Sequence, residues 1–281
     1  MNGVLFKIIP GFTRKFKKLQ FIMKRILLLI AVCAILVSQE SFSQVEDIST
    51  DRPDQSESPF LMKKGYFQIE AGVTSENDEP EKDLKTNSLS APSVLLRFGV
   101  AKNIELRAGI EHQSSKTTFP GGSVTESGLG PIMAGTKISL FSEKGSMPET
   151  ALLLSISVPF KDNSSFQSDY IGTEFRFAMT HSLTKRFSLS YNLGGEFGAG
   201  SRGATGLYTI ALGAALVNKL SGFVELYGFM PQKVSPDHRF DAGLTYLVLK
   251  NVQVDAAFGL GISKGSPDFF VGGGVSVRLP K

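Results

Sequence analysis

From Gly65 onward, apolar and polar positions alternate with a period of two. Phe67, Ile69, Ala71 and Val73 alternate with Gln68, Glu70 and Gly72. Val94, Leu96, Phe98 and Val100 alternate with Leu95, Arg97 and Gly99, and Ile104, Leu106, Ala108 and Ile110 with Glu105, Arg107, Gly109 and Glu111. Successive side chains of a strand point to opposite faces, so each stretch predicts a strand with one oily and one polar face. The pattern recurs from Ile132 to Leu140, Leu152 to Val158, Phe175 to Met179, Leu189 to Leu193 and Tyr208 to Leu216. It continues around Val224 and Leu226, then from Phe240 to Tyr246, Val254 to Leu260 and Val271 to Leu279. No segment has the 3.6-residue period of a helix.

These segments make about twelve strands of roughly ten residues, the length a tilted membrane-crossing strand needs. Ala101-Lys102-Asn103 and the stretches near Leu183 to Arg186, Asn218 to Leu220 and Leu249 to Asn251 predict short turns. Ser142 to Glu149 predicts a middling turn on the same side. Thr74 to Asn87 and His112 to Leu129 predict long polar loops on the other side, where connections shorten toward Lys264 to Pro267. Short turns at one rim and long loops at the other suit an up-and-down barrel of the outer membrane. A soluble β-sandwich also alternates, but its strands are usually about five or six residues long, and it has no reason to carry charges at mid-strand. Here the polar rows hold Glu70, Arg97, Glu105, Arg107, Lys137, Glu174, Arg176, Glu225, Arg239, Asp241, Asp255 and Arg278. In a barrel these twelve charged groups would face a wet lumen.

Composition fits a sheet protein, with 29 Gly and 22 Phe among 281 residues. There is no Trp, so Phe and Tyr would have to form the aromatic belts at the membrane edges. Phe67, Phe98, Phe141, Phe187 and Tyr246 are predicted near one rim, and Phe160, Phe197, Phe229, Phe240 and Phe269 near the other.

The amino-terminal stretch reads as a cleavable secretory signal over residues 1–43. Met23-Lys24-Arg25 precedes the apolar run Ile26 to Val37, and Ser41-Phe42-Ser43 offers a small-x-small cleavage site. The run is too short to span a bilayer as a helix, which takes roughly 20 apolar residues. Met23 reads as the natural start, with Met1 to Ile22 either upstream of it or an extended basic region of the signal. This leader also explains the net charge of +4: seven basic side chains against Glu40 give it +6, leaving about −2 for the rest. A nucleic-acid role therefore loses its electrostatic support. The single cysteine, Cys33, lies in the leader, so the exported chain would lack a disulfide framework, a thiolate metal site and a cysteine nucleophile. Residues 44–64 would be a periplasmic segment or plug, and residues 65–281 the barrel.

The stretch Ile48-Ser49-Thr50-Asp51-Arg52-Pro53-Asp54-Gln55-Ser56-Glu57-Ser58, followed by Lys64-Gly65-Tyr66-Phe67-Gln68-Ile69-Glu70, resembles the opening of a known family. So do Leu95 to Gly99, Ile104 to Arg107, Gly135-Thr136-Lys137, Phe223 to Gly228 and Asp237 to Gly243. That family is the transporter-like outer-membrane group labelled "putative meta-pathway of phenol degradation", common in Bacteroidetes. The resemblance covers the whole exported chain. It implies an outer-membrane barrel with a transport role and no catalytic residues; its label reflects genomic association rather than chemistry. One departure is the carboxyl-terminal end, Leu279-Pro280-Lys281, where such barrels often end on an aromatic residue.

Other candidate sites carry less. Asp51, Arg52, Asp54 and Glu57 could form a plug pairing with the lumen charges, or belong to a periplasmic tether. Gly261-Ile262-Ser263-Lys264-Gly265 matches a nucleophile-elbow string but lacks the required strand-to-helix turn. Gly272-Gly273-Gly274 predicts a bend or a close approach of another group rather than a phosphate loop. His112, His181 and His238 lack metal-ligand spacing. The expectation is a monomeric, cofactor-free barrel, not an enzyme. It would contact outer-membrane lipid and the barrel-assembly machinery and pass a small, apolar or aromatic solute by diffusion. The alternatives are a lipid hydrolase using His112 with Ser114 or His181 with Ser182, and a structural or adhesive surface barrel.

Overall fold

Period-two alternation commits each segment to pairing with its neighbour through backbone groups, because one face must be kept oily throughout. The computed structural model describes residues 47–160, 165–198 and 203–280. The proposed leader, residues 1–43, lies outside them. Thirteen strands form a single sheet: β1 (Phe67–Glu81), β2 (Leu84–Ala101), β3 (Ile104–Phe119), β4 (Gly122–Leu129), β5 (Ile132–Phe141), β6 (Glu149–Val158), β7 (Gly172–Ser182), β8 (Phe187–Phe197), β9 (Ala204–Val217), β10 (Leu220–Pro231), β11 (Asp237–Leu249), β12 (Val252–Gly261) and β13 (Phe269–Leu279). All pairings between these strands are antiparallel. The sheet closes where β13 meets β1, with Phe67 opposite Leu279 and Asn77 opposite Phe269.

β4 and β5 both pair with β3, one above the other: His112 faces Leu129 in β4, and Gly109 faces Met133 in β5. They are one wall strand interrupted at Gly130-Pro131, where proline supplies no N–H for the ladder. The closed wall therefore has twelve strands. A second irregularity falls at Ala91-Pro92, where β2 slips against β3 between Ser90 and Ser93. Opposite it, the β1–β2 register shifts between Gly72 and Thr74. Proline within a ladder is tolerated at such bulges.

The short turns fall where predicted, and Lys219 takes a positive φ in the turn between β9 and β10. The two long polar loops do not. Thr74 to Asn87 and His112 to Leu129 are instead the paired extensions of β1 with β2 and of β3 with β4, closing in tight turns at Lys82-Asp83 and Pro120-Gly121. Their outer rows hold Ser, Thr and Lys rather than apolar residues, which hid the strand signal. Polar, β-branched threonines still favour extended pairing.

The barrel is inverted relative to a water-soluble protein. Its outer rows are apolar and open: Leu106, Leu193, Ile210 and Phe258 are each 48–56% exposed. Its inner rows are charged and closed: Arg97, Glu105 and Lys137 are 0% exposed, Glu70 and Glu225 1%. A sandwich would bury the first set between two sheets and wet the second. Burying charge while exposing large apolar side chains is costly in water and favourable where hydrocarbon meets the outer face. Most predicted rim aromatics lie on that outer face, among them Phe98, Phe141, Phe187, Phe197, Phe240, Phe269 and Tyr246. Phe229 is an exception: it shares the inner row with Glu225 and Tyr227, edge-on to Tyr227 with ring centres 6.1 Å apart.

Candidate functional site

The charged inner rows close around the segment that precedes β1. Both ends of residues 47–64 sit at the short-turn rim. Ile48 donates its N–H to the Lys250 carbonyl (2.8 Å) in the turn between β11 and β12. At the other end, Gly65 N–H bonds to Gly99 O at 2.8 Å. Between these anchors the chain runs into the interior and returns, meeting the wall on opposite sides.

On one side, neighbouring strands β2, β3 and β5 present Arg97, Arg107 and Lys137. All three converge on the Asp51 carboxylate, at 3.1, 3.2 and 2.9 Å. Arg97 is held in turn by Glu105, through Nε at 2.8 Å and Nη2 at 3.0 Å, and by Glu70 at 3.0 Å. Paired N–H···O bonds of this kind fix a guanidinium in orientation as well as in charge. Glu57 adds a second segment carboxylate, 2.9 Å from Arg107. Burial pushes the Asp51 carboxyl upward, but Arg97, Lys137 and Arg107 outweigh burial and hold it below the usual carboxylate range.

On the other side, β10, β11 and β12 present Glu225, Asp241 and Asp255. Asp255 takes the Arg52 guanidinium at 3.2 Å. That guanidinium lies in a notch between the directly paired Gly72 and Gly274, where a Cβ on either residue would collide with it. The triple glycine Gly272-Gly273-Gly274 thus admits a close approach, as its composition suggested. Glu225 accepts from the Ser56 hydroxyl (2.6 Å) and the Gln55 N–H (2.7 Å). Asp54 lies near Glu225 and Asp241 with no cation of the Asp51 kind beside it. Burial, and next the Glu225 charge, push its carboxyl well above the ordinary aspartate range. The interior is therefore uneven in charge, with Arg97, Arg107 and Lys137 gathered beside Glu70 and Glu105 on one wall and the carboxylates Glu225, Asp241 and Asp255 on the opposite one, and the adjacent Asp51 and Arg52 answer one wall each.

The remaining predicted charges are placed differently. Glu174 and Arg176 pair with each other at 3.0 Å, while Arg176 also reaches the Gln55 carbonyl at 2.9 Å. Arg239 pairs with Glu76 at 2.6 Å and Asp237 at 2.7 Å, away from the segment. Arg278 reaches the Asp47 carbonyl at 3.2 Å and lies over the Tyr66 ring. Neutral inner residues matter as much, although charge-based reading passed over them. Asn192 both accepts from Glu57 N–H (2.7 Å) and donates to Glu57 O (3.0 Å). Thr209 Oγ1 lies 2.5 Å from Ser56 Oγ. Gln68 donates to Ser49 O at 2.8 Å. Strand parity marked two of them, Gln68 on the row of Glu70 and Asn192 on the row of Glu196, whereas β9, which carries Thr209, has no charged residue to mark its inner row.

The outward histidines pair with side chains on other strands, His238 of β11 reaching Tyr208 of β9 across Gly228 of β10. His181 meets Tyr191 at 3.3 Å, His238 meets Tyr208 at 3.1 Å, and His112 meets Ser127 at 3.2 Å rather than Ser114. Ser263 of the elbow-like string donates to Pro236 O and accepts the His238 backbone N–H, a turn-closing role. Among the described residues, no group of three or more His, Cys, Asp or Glu is arranged to hold a metal ion.

Solved structures share this architecture at low identity. An outer-membrane channel from Pseudomonas putida F1 superposes with a TM-score of 0.64 and 8% identity, over 81% of this chain and 100% of that one. The translocator domain of the autotransporter NalP from Neisseria meningitidis gives 0.50 and 14%, over 76% of this chain and 88% of that one. At such identities the likeness is one of fold. No curated protein matches the chain. The family match is broader: it runs over residues 50–279, from the segment inside the barrel to the end of β13, and the chain belongs to the family described as "Putative MetA-pathway of phenol degradation".

Proposed function

We propose that this chain is exported by a cleavable signal peptide and resides in the outer membrane. There it passes a small solute by diffusion through the barrel interior, with residues 44–64 acting as a plug. The observation that carries the reading is the segment held inside the wall. Asp51 meets three cations on one side, and Arg52 meets Asp255 on the other. A side-chain-filled structural barrel leaves no room for an inserted chain, whereas a lumen that holds one leaves a path when the chain moves. Opposed rings of charge are also how pores select what enters.

The lining decides what kind of solute fits. Tyr227, Phe229 and Phe270 lie on the inner rows and would suit an aromatic ring. The centre, however, is made of charged and hydrogen-bonding groups, so a polar solute matches it better than the apolar one the family label first suggests. Planar-bilayer recording of the purified chain tests the reading. Ion conductance with discrete transitions is expected; a tight seal, together with no solute entry into liposomes carrying the protein, would overturn it.

A further inference from the structure

The wall holds the inserted segment by its main chain as well as by its side chains, and this bears on what else could occupy the site. Gln55 gives its N–H to Glu225 (2.7 Å) and its carbonyl to Arg176 (2.9 Å). Two residues on, Glu57 gives both its N–H and its carbonyl to Asn192, at 2.7 and 3.0 Å. A residue bonded through both groups, then the residue two along bonded in the same way, repeats the spacing of an antiparallel ladder, although the segment itself bends from Pro53 to Ser56. Here side chains take the place of the neighbouring strand. Single main-chain bonds lie on either side: Glu70 accepts the Asp51 N–H at 3.1 Å, and Arg97 donates to the Phe60 carbonyl at 3.0 Å. Donors and acceptors are set at the spacing of peptide groups, an array that a sugar or a simple aromatic does not possess. Recognition through the main chain also leaves side-chain identity open.

Charge points the same way. The cationic wall that holds the Asp51 carboxylate offers the chemistry that would hold a free carboxyl terminus, and Asp255, which holds Arg52, offers that for an amino terminus. A short free peptide carries both charges at its two ends.

We infer that the solute favoured by this lumen is a short zwitterionic peptide, which enters by taking over the main-chain bonds of the plug. This rests on the transport reading above. The test uses the full chain in liposomes and three solutes of similar mass: a tetrapeptide of small residues, its backbone N-methylated analogue with the same charges, and a trisaccharide. Each N-methyl group removes one N–H donor, and losing a bond to a charged acceptor should slow entry by about tenfold. The expected result is that the tetrapeptide enters at least about tenfold faster than either of the others. Equal entry of all three, or slower entry of the tetrapeptide, would overturn the peptide preference and leave transport standing. Entry of none would overturn transport itself, and the preference with it.

Discussion

At the scale of single residues, Asp51 holds most of the arrangement. Its carboxylate is the shared partner of Arg97, Arg107 and Lys137, all 8% exposed or less. Replacing it by asparagine keeps the shape but leaves buried cations short of an anion. Breaking a buried ion pair from one side typically costs about 3–5 kcal/mol. In Asp51→Asn the cost falls on docking of the segment, because without it Arg97 keeps the wall carboxylates Glu70 and Glu105 and Arg107 stays beside Glu105. The variant should fold as a barrel and show a higher open fraction in bilayers. An unchanged open fraction would mean that Asp51 does not hold the plug.

Asp54 acts in the opposite sense. It faces Glu225, Asp241 and Asp51, and its carboxyl is raised in the docked state. A raised docked value means that docking is fully favoured below the ordinary aspartate range and weakens as pH rises through the docked value. Asp51, with a depressed docked value, supports docking above the ordinary range and gives way only in strong acid. Mild acidification from neutral pH should therefore close the channel further. Asp54→Asn should lower conductance at pH 7 and flatten that response. A variant with the wild-type pH profile would remove Asp54 from the account.

At the scale of elements, the wall strands were legible because a half-buried strand must keep one parity throughout. The charged rows followed from the same rule and the short turns from the gaps between alternating runs, while the close approach at Gly274 was one of two readings, with a bend, that the glycine run allowed. The upper halves of β1 to β4 were not legible, since outward residues such as Ser75, Ser114 and Lys116 carry no apolar signal. They are held by cross-strand pairs such as Thr86 with Thr117 and Ser88 with Ser115, at 3.3 and 3.4 Å. Polar pairs of this type contribute only about 0.2–1 kcal/mol each. These extensions should thus be dispensable for closure. Shortening the β1–β2 hairpin by removing residues 79–86 should leave the heat-modifiable gel mobility of the folded barrel unchanged, and loss of that mobility would show that the extension is needed to close the wall.

At the scale of the whole molecule, the order of oil and charge is reversed from that of a soluble protein, and the reversal makes room for an inserted chain. Which inner residues meet which part of that chain could not be read from the sequence. Arg52 and Asp255 are 203 residues apart, and the notch between Gly72 and Gly274 that seats Arg52 forms only on barrel closure. No local pattern carries such a pairing, whereas strand parity is carried by every neighbour.

The central claim, that the segment before β1 occupies the path through the barrel and must move to open it, can be tested with one covalent lock. Ser56 and Thr209 bring their hydroxyl oxygens to 2.5 Å from each other, so cysteines at the two positions would set their sulfurs side by side. In a Cys33→Ser background, Ser56→Cys combined with Thr209→Cys should give a barrel whose conductance is abolished on oxidation and restored by a reductant. Equal conductance in the oxidised and reduced states would contradict the account.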